Sequence, residues 1–270
     1  MSALAPAAGS PLRVTQLRVI RSEWTKLRSV RSTYWSLFAT LLLIIGIGIL
    51  VCVIFNARWP HISPRERADF HPLRASLVGV NFAQLAIGVL GVLVITAEYS
   101  TGMIRATFSA VPKRLPVLWA KTGVFAGVAF LLTLPAVFIV FFAGQSILSG
   151  QHINITISHP GVVRALIGAP LYLMVMGVFG IGLGAMLRST AGGISALAAI
   201  VFVLPPIIGL FPASFANSVT PYLPSNAGGA LWTINPDPNT LAPWTGFAVF
   251  CGWAIASIVV ASILMVRRDT

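Results

Sequence analysis

Six stretches of the chain run on without a charged side chain, and they set the reading of everything else. They fall at about 34–55, 75–97, 122–142, 165–187, 192–211 and 244–266. The first holds the run LLLIIGIGILVCVIF. Glu98 closes the second, Lys121 precedes the third, Arg164 and Arg188 flank the fourth, and Arg267 and Arg268 close the sixth. A helix needs about 20 apolar residues to cross a hydrocarbon core of roughly 30 Å, and each stretch supplies that length. None shows the apolar–polar alternation of a barrel strand, which spans with about 9–11 residues. The pattern predicts an all-α membrane protein with six transmembrane helices. Pro135 is expected to kink the third span, and Pro205 with Pro206 the fifth. Gly177, Gly180, Gly182 and Gly184 suit close helix contact in the fourth, although glycine is also common in membrane helices generally.

Three segments between or before the spans carry patterns of their own. In 12–31, Leu17, Ile20, Trp24 and Leu27 recur at helical spacing. Arg18, Arg21, Arg28 and Arg31 lie off that stripe, with Lys26 beside it. Such a helix is expected to lie in the membrane interface, apolar face down and cations near anionic lipid. A flanking helix that only sets topology is a compatible alternative. Ahead of it, 1–11 is small and uncharged and reads as a disordered tail rather than a cleaved signal. The loop EYSTGMIRATFSAVPKRLPVLWAK (98–121) has Ser100 and Thr101 to cap a short helix, which Pro112 would stop. Met103, Ile104, Thr107 and Phe108 form one apolar stripe and Arg105 lies on another side. The pattern fits either a docking helix or a structured link. Finally, 212–243 is too apolar for a solvated linker and too short to span, as expected of short re-entrant helices covered by protein.

Composition agrees with the spans. Of 270 residues, 57% are hydrophobic and 9% charged, against about 25% charged in ordinary soluble domains. Too few polar groups remain to coat a soluble fold. The net charge of +12 would suit a nucleic-acid binder, but the placement of the cations argues otherwise. With a cytoplasmic N-terminus, thirteen of the 18 Lys and Arg fall inside and five outside, in line with the positive-inside rule. Both termini are then cytoplasmic, and His61, His71, His152 and His159 are all external. Cys52 and Cys251 sit in apolar runs and read as small buried hydrophobes.

Several chemistries are missing from the sequence. There is no Gly-x-x-x-x-Gly-Lys-Ser/Thr loop to hold ATP phosphates and no His-Glu-x-x-His pair. No histidine lies within a span, so an intramembrane serine protease would lack its base. The span interiors hold no charge of the kind that marks ion pathways. Lys121 is expected to snorkel from the edge of the third span to the interface.

The order of these features, together with two motifs, resembles a known family. Ala97-Glu98-Tyr99-Ser100-Thr101-Gly102-Met103-Ile104-Arg105, then Pro112-Lys113-Arg114, then Leu223-Pro224-Ser225-Asn226-Ala227-Gly228-Gly229-Ala230 are similar to the permease subunits of type-2 ABC transporters, in their small bacterial, actinobacterial-like branch. The likeness covers residues 12–270 and implies one transmembrane domain of the type-2 exporter permease fold. It implies that 12–31 is a connecting helix and that about 100–110 is a coupling helix resting on a separate ABC ATPase subunit. Glu98, Tyr99, Ser100, Thr101, Gly102, Met103, Ile104, Arg105, Pro112 and Arg114 would carry that coupling, with Glu98 holding the loop by pairing with a cation of 12–31 or of the ATPase. ATP and magnesium would be bound by the partner, so this chain has no cofactor and is not itself an enzyme. A second permease chain, identical or paralogous, would complete the transporter, in a bacterial plasma membrane. A non-transporting scaffold or sensor subunit of the same fold is the alternative.

Overall fold

The computed structural model describes residues 16–102, 114–234 and 239–267. Ten helices organise it: α1 (Gln16–Ser29), α2 (Arg31–His61), α3 (Pro64–Ala68), α4 (Pro72–Ser100), α5 (Leu115–Gln151), α6 (Val162–Leu187), α7 (Thr190–Gly209), α8 (Ala213–Val219), α9 (Pro224–Gly229) and α10 (Pro243–Arg267). Among the described residues there is no strand. Six helices, α2, α4, α5, α6, α7 and α10, are long and apolar enough to cross a membrane, the plan of a multi-pass membrane protein. They coincide with the six uncharged stretches because hydrocarbon offers backbone N–H and C=O groups no partner outside the helix itself.

The helices run past the stretches at several ends. The helix containing α5 begins at Arg114, well before the expected start near 122. Pro116 lies in its first turn, where a missing N–H costs little, and Lys121 is therefore a helical residue. Pro135 sits inside this helix, which is continuous to Leu148. In α7 the turn ahead of Pro205 and Pro206 widens to a π-helix over Ala199–Val203. A second π-turn, Leu43–Ile47, interrupts α2. It faces the break in α4 at Gly79, where a Cβ would strike the carbonyl oxygens of Leu43 and Ile44.

Helix α6 is the centre of the bundle, packed on α4, α5, α7 and α10. Of its most apolar stretch 78% is buried, against 22% for α2 and 17% for α7. The glycines of α6 explain why it is central. A Cβ at Gly180 would strike the Gly88 carbonyl, and one at Gly91 the Gly177 carbonyl, so α4 and α6 touch backbone to backbone. A Cβ at Gly182 would strike the Ser257 side chain of α10. Between α2 and α4, Ser63 and Glu66 form a reciprocal cap on α3, and Arg67 stacks over Trp59 at 5.5 Å. Within segment 212–243, the described residues 212–234 fold back onto the bundle as α8 and α9, with Leu223, Pro224, Ala227 and Trp232 buried. Cys52 is fully buried and Cys251 half-buried.

Candidate functional site

A cluster of four charges lies at one end of the bundle, where α1 meets the end of α4 and the start of α5. Helix α1 turns Val19, Glu23 and Leu27, one helical face, against α5, where Val117 and Ala120 receive Val19. The stripe of Leu17, Ile20, Trp24 and Leu27, expected to face the membrane interface, is not the face that packs on α5. Leu27 is buried, but Ile20 and Trp24 are exposed, and nothing is described of the side chains of Leu17 and Arg18. The packed face is not visible as an apolar stripe because it carries Glu23, a carboxylate that periodicity counts against burial. Arg21 and Arg28 point outward, Arg28 over the Trp24 ring at 5.9 Å.

Glu23 is buried because cations meet it. Lys121 Nζ lies 2.5 Å from Glu23 Oε2 and 2.8 Å from Glu98 Oε1. Lys26 Nζ lies 2.8 Å from Glu23 Oε1 and 3.0 Å from Glu98 Oε1. Two carboxylates and two ammoniums thus tie α1, the end of α4 and the start of α5 into a charge-balanced junction. Glu98 pairs with a cation of α1, Lys26, as the sequence suggested, and also with Lys121. Lys121 does not snorkel: its side chain is 3% exposed and held on both sides by carboxylates. Burial alone would pull the Lys26 ammonium below its ordinary value, but the Glu23 hydrogen bond and the Glu98 charge outweigh it and raise the pKa above 10.5. The Lys26 contribution to stability is therefore complete below pH 10.5 and lost as pH climbs through the raised value. Thermal unfolding of the solubilised protein from pH 8 to 12 should show a smaller alkaline loss in Lys26→Met than in the wild type. Identical alkaline profiles would overturn the assignment.

The loop residues assigned from the sequence divide at the edge of the described structure. The helix that Ser100 and Thr101 are expected to cap lies outside the described residues. Both hydroxyls donate back to the Ala97 carbonyl, at 3.1 and 2.7 Å, and close α4. Gly102 then takes φ of +70°, a left-handed turn that glycine adopts freely. Tyr99 stacks under the Arg188 guanidinium at 5.3 Å, and Arg188 also reaches the Leu264 carbonyl of α10. Met103, Ile104, Arg105 and Pro112, and with them the coupling helix expected at about 100–110, lie outside the described residues. Arg114 begins the helix of α5, and nothing is described of its side chain. Glu23 was missed by pattern reading. The available signal was its rarity, since it is one of six acids in the chain.

The opposite end of the bundle holds a cavity of about 1120 Å³ between α4, α7, α8 and α9. Its wall includes Gln84 and Tyr172, buried and joined by a hydrogen bond from the Tyr172 hydroxyl to Gln84 Oε1. His71 and Arg74 line it from the start of α4 and His159 from the loop before α6. Among the described residues no group of three or more His, Cys, Asp or Glu could hold a metal ion. No protein-family model matches the sequence, and no curated protein matches it.

Proposed function

We propose that the chain is the permease subunit of an ATP-binding cassette transporter of the exporter type, with the type-2 permease fold, driven by a separate ATPase subunit. The observation that carries the reading is the ionic junction. It fixes the end of α4, where the Ala97–Arg105 motif begins, to α1 and α5. A push on the segment after Gly102 is then delivered to three helices at once rather than absorbed by a loose loop. The backbone contact of α4 with α6 passes the displacement to the centre of the bundle. Packed helices switch between discrete arrangements rather than deforming continuously, which suits alternation between inward- and outward-open states.

Other features support the same reading. The six spans and the N-terminal helix match the family plan in number and order. Ile20 and Trp24 project from α1 on the side away from the bundle, where they would enter the interface of a bacterial plasma membrane, with both termini cytoplasmic. The large unburied faces of α2 and α7 would meet lipid and a second permease chain. ATP and magnesium belong to the ATPase partner, and nucleic acid has no part.

Co-expression with the ATPase encoded beside the gene tests the proposal. A stable complex whose ATP hydrolysis responds to transported compounds is expected, and failure of any neighbouring ATPase to co-purify would remove it. In that complex Arg105→Ala should lower the stimulated hydrolysis by about tenfold, the equivalent of one charge-assisted contact of ~1.4 kcal/mol, while membrane insertion is unchanged. Undiminished stimulation would clear Arg105 of the coupling role.

A further inference from the structure

We propose that Arg188 is a positioning residue: it clasps the two-residue turn between α6 and α7 to the last turn of α4, and so gives the coupling route a second branch, into α7 and α10. The role in coupling rests on the transporter reading; the clasp itself rests on geometry alone.

The end of α4 is engaged on two sides. Glu98 belongs to the ionic junction with α1 and α5. Thr96 and Tyr99, three residues apart, share a different face. Thr96 is 1% exposed, and its hydroxyl accepts a hydrogen bond at 2.9 Å from the hydroxyl of Thr190, the first residue of α7. Tyr99 lies under the Arg188 guanidinium, which also reaches the Leu264 carbonyl of α10. Only Arg188 and Ser189 separate α6 from α7, and Ser189 caps α7 by accepting from the Gly192 N–H at 3.3 Å. So short a connection has no slack in which to lose a displacement. The packing beside it is close: a Cβ at Gly184 would stand 2.7 Å from the Ile95 side chain, and one at Gly193 2.6 Å from that of Val92.

The backbone of Arg188 is an independent sign. Its φ is +52°, in the left-handed region, and its N–H returns to the Gly184 carbonyl at 2.9 Å. Helices that end this way ordinarily use glycine, because a side chain strains the backbone there. An arginine is a poor choice at such a position unless its side chain is used. A guanidinium is planar and stacks on an aromatic face, which glycine cannot do at all. Helix α7 depends on such a hold. It is the least buried of the six spans, so it has little other contact through which α4 could move it.

The clasp is tested in the full chain in phosphatidylcholine nanodiscs without any ATPase. Thr96→Cys with Thr190→Cys puts two thiols where the hydroxyls now meet. Copper phenanthroline should link them, with each single variant as the control. Adding Arg188→Gly should slow the linkage by about fivefold, the equivalent of one cation–aromatic contact. No linkage, or equal rates with and without Arg188→Gly, would overturn the clasp. The coupling role is read in the complex with the ATPase. Arg188→Gly relieves the backbone, so the unfolding midpoint should not fall, whereas stimulated hydrolysis should fall by about fivefold. Tyr99→Phe keeps the ring and should retain the stimulation. Tyr99→Leu removes the ring and should match Arg188→Gly, and the two together should lose no more than either alone. Undiminished stimulation in Arg188→Gly, a midpoint that falls with it, or additive losses would overturn the coupling role and leave the transporter reading intact. An Arg188-dependent linkage in a chain that binds no ATPase would keep the clasp and remove the coupling role together with the transporter reading.

Discussion

Lys121→Met should be the most damaging single change at the ionic junction, costing about 3–5 kcal/mol, the range for removing one partner of a buried ion pair. The reason is the sharing. Lys121 lies 2.5 Å from Glu23 and 2.8 Å from Glu98, and its loss leaves two carboxylates to the single ammonium of Lys26. One carboxylate must then take up a proton or force its helix open to water. Lys26→Met should cost less, because the Lys26 side chain is 27% exposed and water can replace part of what it supplies. The charge count makes a sharper forecast. Adding Glu98→Gln to Lys121→Met restores neutrality, with Glu23 against Lys26, so the double variant should be more stable than Lys121→Met alone. The two changes are then strongly non-additive, as expected of groups in one network. Unfolding can be followed by reaction of a thiol dye with Cys52, which is fully buried in the folded chain. A wild-type midpoint in Lys121→Met, or a double variant weaker than the single, would show that the junction does not hold the helices together.

Gly180→Val should destabilise by about 3 kcal/mol, the upper end of the usual cost of overpacking, and Gly91→Val by a similar amount. Overpacking is ordinarily relieved by a side chain that rotates away. Here the obstructing atoms are main chain: the Gly88 carbonyl faces Gly180 and the Gly177 carbonyl faces Gly91. Relief requires α4 and α6 to separate, which would loosen the central contact of the bundle and the path from the ionic junction to it. Gly127→Val in α5 is the control. A Cβ there meets nothing within 4 Å, and the change should lie within about 1 kcal/mol of the wild type. Equal effects at Gly180 and Gly127 would mean that the α4–α6 approach does not matter to stability.

These two forecasts differ in how far they were legible beforehand. The glycines of α6 were visible as a cluster, but a cluster reads equally as packing or as composition. The partners that decide it, Gly88 and Gly91, lie on a helix about ninety residues earlier in the chain. Glu98 stood out as a lone acid at the end of a span, and a partner on the N-terminal helix was a reasonable expectation. Lys121 was misjudged because a lysine at the edge of an apolar run ordinarily reaches for water. It stays inside because Glu23 and Glu98 both reach it. Pattern reading of α1 marked the stripe expected to enter the membrane interface and said nothing of the face packed on α5, which carries Glu23. Apolar spacing marks the sides of a helix that avoid water, and in a membrane protein both the bundle and the lipid satisfy that condition.

By itself, then, the sequence determined the number, order and approximate limits of the membrane helices. That rule is local: a stretch without charge and long enough to cross hydrocarbon must satisfy its backbone within one helix. The tertiary structure alone decided which faces meet. Glu23 and Lys121 are 98 positions apart, and Lys26 and Glu98 are 72 apart. No periodicity within a helix encodes such pairs. They form because burying a carboxylate is tolerable only where an ammonium already waits, and that condition exists only once α1, α4 and α5 have come together.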